Sequence, residues 1–153
     1  MAENSGAGYA GAGYTGPGYS GTPLLKKLGI KAGHRVLLRN QPAELPEELK
    51  EYSGARKRQE LDVVVLFADC EELFKAEFGK LMQTIHPDGA IWVAWPKKSS
   101  GVATDLSDQV IRAHALTTAF VDVKVCAIDE TWSGLKLVIR KELRTSFANG
   151  THS

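Results

Sequence analysis

Cysteine is scarce in this chain, which has only Cys70 and Cys126 among 153 residues. Two thiols cannot make a disulfide framework, so the expectation is a reduced, cytoplasmic protein that holds its fold by burial. Long apolar runs are missing too: no stretch approaches the roughly 20 residues of a membrane span, and the first residues lack the basic-then-apolar layout of a secretory signal. Neither sign of charge is in excess, because nineteen Lys and Arg stand against eighteen Asp and Glu, a formal net charge of +1. No general field then draws the chain to nucleic acid or to an anionic membrane. The four histidines, His34, His86, His114 and His152, show no ligand spacing with either thiol, so no metal centre is predicted. Neither Gly-x4-Gly-Lys nor Gly-x-Ser-x-Gly occurs, which removes a Walker phosphate loop and the nucleophile elbow of a hydrolase.

What is present is enough for one globular domain, with 43% apolar and 24% charged residues. The chain opens on three five-residue units, GAGYA, GAGYT and GPGYS, starting at Gly6, Gly11 and Gly16. They place Tyr9, Tyr14 and Tyr19 five apart, a period that suits neither a helix nor a strand. Alternate glycines lose much backbone entropy on ordering and offer little side chain to bury, so residues 1–17 are expected to be a flexible tail. The tyrosines remain candidate contacts for a protein partner. Residues 18–144 form the expected domain and 145–153 a frayed C-terminal tail.

Patterning begins at Pro23. PLLKKLGI predicts a short helix that starts at the proline and stops at Gly29. A buried strand is expected at 35–39, then a short surface helix in PEELKEY and a basic connection at Arg56, Lys57 and Arg58. LDVVVLF (61–67) suits a central parallel strand with both faces covered. Asp69 and Glu72 make a capping-box pattern for the helix CEELFKAEFGKLMQTI, whose inner face is Phe74, Phe78, Leu81 and Ile85. HPDG (86–89) predicts a turn that ends this helix, and AIWVAW (90–95) the next buried strand. A further helix is expected to be capped by Thr104 or Asp105 and to turn Leu106, Val110, Ala113, Thr117 and Phe120 inward. VDVKVCAI (121–128) and LKLVIR (135–140) alternate and are joined by DETWSG, which predicts an antiparallel hairpin. The class is therefore α/β: a layered, mostly parallel sheet of about five strands with right-handed crossovers and a terminal hairpin.

Ligands bind such sheets beyond the carboxyl ends of the strands. That edge carries Asn40 and Gln41, then Ala68 and Asp69, then Lys97, Lys98, Ser99, Ser100 and Gly101. Two ammonium groups, two hydroxyls and a glycine between a strand end and a helix N-terminus suit an anion; a solvated loop is the plainer alternative. In DETWSG, Asp129 and Glu130 are adjacent carboxylates that burial could split into an acid and a base, with Trp132 as a flat apolar face. The alternative is a hairpin turn whose tryptophan pins the loop to the body. Cys70, placed in the first turn of a helix, has a route to thiol reactivity, whereas Cys126 in an alternating strand suits packing beside the core.

LGIKAGHRVLL, DVVVLFAD, HPDGAIWVAW and the closing hairpin together resemble the sheet of class I methyltransferases that use S-adenosylmethionine. The resemblance covers about residues 24–141. It implies a three-layer, Rossmann-like sheet whose last strand inserts between its neighbours. Where that family has an acidic residue and Gly-x-Gly-x-Gly after the first strand, this chain has RNQPAELPEE, without a glycine to admit a cofactor. No cofactor is therefore predicted, S-adenosylmethionine included, and 40–60 is short for the family's two further strands. GYSGTPLLKKLGIKAGHRVLL, VAWPKKSSGVATDL and VDVKVCAIDETWSGLKLVIRKE are similar, from Gly18 onward, to an uncharacterised bacterial family, domain of unknown function 3052. That resemblance implies no established activity, but it places family blocks on both chemical loops. The expected function is a non-catalytic module for an anionic small ligand at Lys97–Gly101 or for a protein partner. The alternatives are a divergent methyltransferase, another enzyme using Asp129 and Glu130, or a structural partner subunit contacting through Trp132.

Overall fold

The computed structural model describes residues 23–54 and 60–144. The tyrosine repeat, the basic group at 56–58 and the C-terminal tail lie outside the described residues.

Helix α1 (Leu24–Leu28) follows Pro23 and ends where predicted. Gly29 takes the left-handed conformation, φ 76°, and its N–H closes onto the carbonyls of the last turn. The strands are β1 (Val36–Arg39), β2 (Leu61–Phe67), β3 (Ile85–Pro96), β4 (Phe120–Ala127) and β5 (Trp132–Ile139). They form one sheet in the order β1-β2-β3-β5-β4. The β1–β2 and β2–β3 pairings are parallel, while β3–β5 and β5–β4 are antiparallel. The sheet is thus mixed and only partly parallel, a correction to the mostly parallel expectation. It arises because the hairpin's second strand inserts beside β3.

Valines and leucines at successive positions of β2 bury both of its faces. Phe74, Phe78, Leu81, Ile111 and Ala115 join one cluster with Val64, Ile91 and Leu135. Leu24, Leu28 and Leu49 join a second with Val65, Phe67 and Trp92. Between β1 and β2 the described residues hold a 3-10 helix (Glu47–Tyr52) and no strand. Its one buried residue is Leu49.

Three local expectations are corrected. Helix α2 (Glu71–Leu81) stops before Ile85, which belongs to β3. Thr84 closes that helix end, its hydroxyl donating to the Leu81 carbonyl at 2.8 Å. HPDG then runs inside β3: Leu61 pairs with Ile85 and Val63 with Ala90, so residues 86–89 bulge between the two registers. The bulge needs glycine, since a Cβ on Gly89 would lie 2.7 Å from the Leu61 carbonyl oxygen.

The second correction concerns Asp69. The N-cap of α2 is Cys70, in extended backbone and without a side-chain cap bond. Glu71 N–H instead donates to Asp105 Oδ1 at 2.7 Å, and the Thr104 hydroxyl donates to the Asp69 carbonyl at 2.7 Å. The two residues expected to cap the last helix are drawn to the start of α2. Helix α3 therefore begins later, at Asp108–Ala115, with Ser107 Oγ accepting from Val110 N–H at 3.2 Å. The later start changes the phase, which is the third correction. Ile111 and Ala115 are buried, whereas Ala113 and Thr117 face solvent.

Candidate functional site at the carboxyl edge of the sheet

The carboxyl ends of β1, β2 and β3 lie along one edge, as parallel pairing requires. Asn40 leaves β1 in the left-handed conformation, φ 58°, which Asn tolerates better than most side chains. Its Nδ2 donates to the Phe67 carbonyl at 2.8 Å and so ties the ends of β1 and β2 together. Gln41 turns the chain away, donating from Nε2 to Ser53 Oγ at 2.8 Å. At the end of β2, Ala68 N–H donates to the Ala94 carbonyl at 2.9 Å. Asp69 comes next, its carbonyl engaged by Thr104.

The two chemical loops meet here. Lys97 N–H donates to the Thr131 carbonyl at 2.8 Å, so PKKSSG lies alongside DETWSG. Lys98–Ser100 form a single 3-10 turn that ends at Gly101, φ 79°. The Ser100 hydroxyl donates to the Lys97 carbonyl at 2.6 Å and accepts from Val102 N–H at 3.2 Å. PKKSSG therefore does not lead directly into a helix N-terminus, because Val102–Ser107 intervene before α3. The Lys97 and Lys98 side chains enter no ion pair among the described residues.

Asp129 works as a turn brace, its Oδ1 accepting from the N–H groups of Thr131 and Trp132 at 2.8 Å each. Glu130 is exposed. Trp132 is half-buried and meets Phe67 edge to face, with ring centroids 5.2 Å apart. The structure thus brings Asn40, Asp69, Lys97 and Trp132 to one edge, while Asp129 and Ser100 are occupied in holding their own loops.

Both thiols are free. Burial pushes the Cys126 thiol above its usual range, against the pull of Lys27 and Lys124. Cys70 precedes the first helical turn rather than lying within it. His34 and His86 serve turns, each accepting at Nδ1 from a nearby backbone N–H, of Lys31 and Asp88. Among the described residues no three His, Cys, Asp or Glu side chains cluster as metal ligands, and no helix is long and apolar enough to cross a membrane. Sequence reasoning missed Thr104 and Asp105 as ties to α2, because that contact spans 34 residues and leaves no local pattern.

No family model matches the chain. No curated protein matches it. Among solved structures the chain is similar to LepI in complex with SAM, at 10% identity and a TM-score of 0.47. It is also similar to a LepI variant in complex with SAH and a substrate analogue, at 9% identity and 0.44. A third is described as a pericyclic reaction enzyme, at 10% identity and 0.40. Each alignment covers 76% of this chain and 39% of the other. At these scores the likeness defines neither the fold nor an activity of this chain.

Proposed function

We propose that the chain is a Rossmann-like, methyltransferase-like binding module that takes a small anionic ligand at the carboxyl edge and does no chemistry on it. The observation that carries this reading is the bond from Lys97 N–H to the Thr131 carbonyl, which sets the backbone of the lysine loop against the loop that leads into Trp132. An anion with a flat apolar part suits that pairing. A non-catalytic role is supported by what the neighbouring polar groups already do. Asp129, Ser100, Thr104 and Asp105 each hold backbone, so these four side chains are committed to the loops rather than to a reacting group. The hydrophobic clusters on opposite faces of the sheet support the three-layer arrangement.

A second reading, a divergent methyltransferase, is favoured by the insertion of β5 between β3 and β4, which the methyltransferase resemblance implied. Against it stands the end of β1, where Asn40 rather than glycine makes the left-handed turn and spends its side chain on Phe67.

Thermal unfolding against S-adenosylmethionine, its demethylated product, nucleotides, inorganic phosphate and sugar phosphates tests both readings. A ligand at a hundred times its dissociation constant adds about 2.7 kcal/mol, enough to raise the midpoint by several degrees. The expected result is a shift with a phosphate-bearing compound that disappears in Lys97→Ala, Lys98→Ala. A shift with S-adenosylmethionine alone would favour the second reading. No shift with any compound would overturn the small-ligand reading.

A further inference from the structure

Beyond α1, the described residues leave the sheet face that carries Trp92 partly open, with Lys124 exposed and Lys136 half-buried. Cross-strand pairing puts Lys136 opposite Trp92 on one side and opposite Lys124 on the other. The neighbouring row on the same face is Ala94, Gly134 and Cys126. Trp92 is fully buried, with Nε1 donating to the Leu28 carbonyl of α1 at 3.0 Å, while Lys136 is half-buried and Lys124 exposed. Lys27 reaches the same region from α1, its ammonium donating to the Ala127 carbonyl at 3.3 Å.

Directly opposed residues of antiparallel strands have Cβ atoms about 5 Å apart, and like charges at that spacing repel. Among the described residues the pair has no partner of opposite charge, and Lys27 enters no ion pair there either. Asp122 is the nearest acid along β4, but the register places it opposite Leu137 on the other face, where it binds Arg112 of α3 at 2.9 Å. Burial, with Lys124 adding to it, holds the Lys136 ammonium below its usual value.

We propose that Lys124 and Lys136 form a binding site for a compact, multiply charged anion of the phosphate class, with Lys27 at its rim. A dianion neutralises both opposed ammonium groups at once, and lysine binds phosphate as a point charge. This site lies on a sheet face, apart from the carboxyl-edge loops and independent of them.

Titration of the full chain with pyrophosphate, inorganic phosphate and glycerol phosphate, followed by amide NMR, tests it against sodium chloride at matched ionic strength. The expected result is movement of the signals of residues 124, 126 and 134–136, with affinity at least tenfold weaker in Lys136→Met and in Lys124→Met. In the Lys97→Ala, Lys98→Ala variant the signals of residues 124, 126 and 134–136 should still move as they do in the parent, whatever that variant loses at the carboxyl edge. Comparing glycerol phosphate with the free ion distinguishes an ester from inorganic phosphate as the source, and tight binding of either supports the site. Methionine keeps the apolar stem, and without anion each Lys→Met variant should melt above the parent, since the repulsion is gone. Shifts that sodium chloride reproduces, or full affinity in both Lys→Met variants, would overturn the proposal. Movement of those signals lost only in the Lys97, Lys98 variant, and kept in both Lys→Met variants, would overturn it too and assign the anion to the carboxyl edge.

Discussion

Gly89 and Gly79 show how differently one substitution acts at two glycines. Gly89 sits where β3 passes the backbone of β2, and an added methyl would lie 2.7 Å and 2.9 Å from two carbonyl oxygens. Backbone cannot swing aside as a flexible side chain can. Gly89→Ala is expected to lower stability by about 1–3 kcal/mol, as overpacking does. Gly79, inside α2, has nothing within 4 Å of the same added atom. There the change only removes unfolded-state freedom and raises helix propensity, so Gly79→Ala should add up to about 1 kcal/mol. Urea unfolding of the two variants checks both signs. If Gly89→Ala is neutral, the close approach of β3 to β2 is wrong. Residue identity alone did not reveal the difference, since Pro-Asp-Gly is turn chemistry whether the turn ends a helix or bulges from a strand.

Elements were legible wherever their cause is local. Pro23 and Gly29 bracket α1 through backbone geometry that each residue carries with it, and the apolar run of β2 needs burial on both faces whatever its neighbours. The edge loops could be singled out one by one, but not their contact: Lys97 meets Thr131 because the antiparallel β5 begins beside the end of β3. The starts of α2 and α3 were not legible, because the energy that decides them comes from elsewhere in the chain. Asp69 and Glu72 have the spacing of a capping box, yet the Glu71 N–H is satisfied by Asp105. Asp105→Ala should therefore destabilise by about 1 kcal/mol, the usual worth of a cap, while Asp69→Ala leaves the unfolding midpoint nearly unchanged. Equal losses would restore the local capping box. The opposed lysines are an intermediate case. VDVKVCA and GLKLV each place one lysine on a strand, and the hairpin register that sets Lys124 against Lys136 follows only once the turn at 128–131 is fixed.

Across the whole molecule, α2 is fastened twice by groups that titrate. His114 of α3 packs edge-on against Phe74 and Phe78, at centroid distances of 5.4 Å and 6.1 Å, and burial, then Lys75, holds its pKa below 6.5. Glu77 accepts from Arg39 Nε at 2.6 Å, across to the edge strand β1, and this hydrogen bond holds its carboxyl below 4.5. Both groups have a lower pKa folded than unfolded, so in each case the unfolded chain takes up protons first as pH falls. Stability then declines in the same direction twice. The first loss begins near pH 6.5, where unfolded histidine titrates, and is complete below the folded pKa of His114. The second begins near pH 4.5 and ends below the folded pKa of Glu77. Urea midpoints measured from pH 8 to pH 3 should show both stages. His114→Gln should be less stable at pH 8 yet flat across the upper stage, because an uncharged side chain has no proton to gain. Arg39→Met should flatten the lower stage only. A parent midpoint that does not move between pH 7 and pH 5, or an upper slope that survives in His114→Gln, would mean that the two helices meet without a half-buried His114 packed between them.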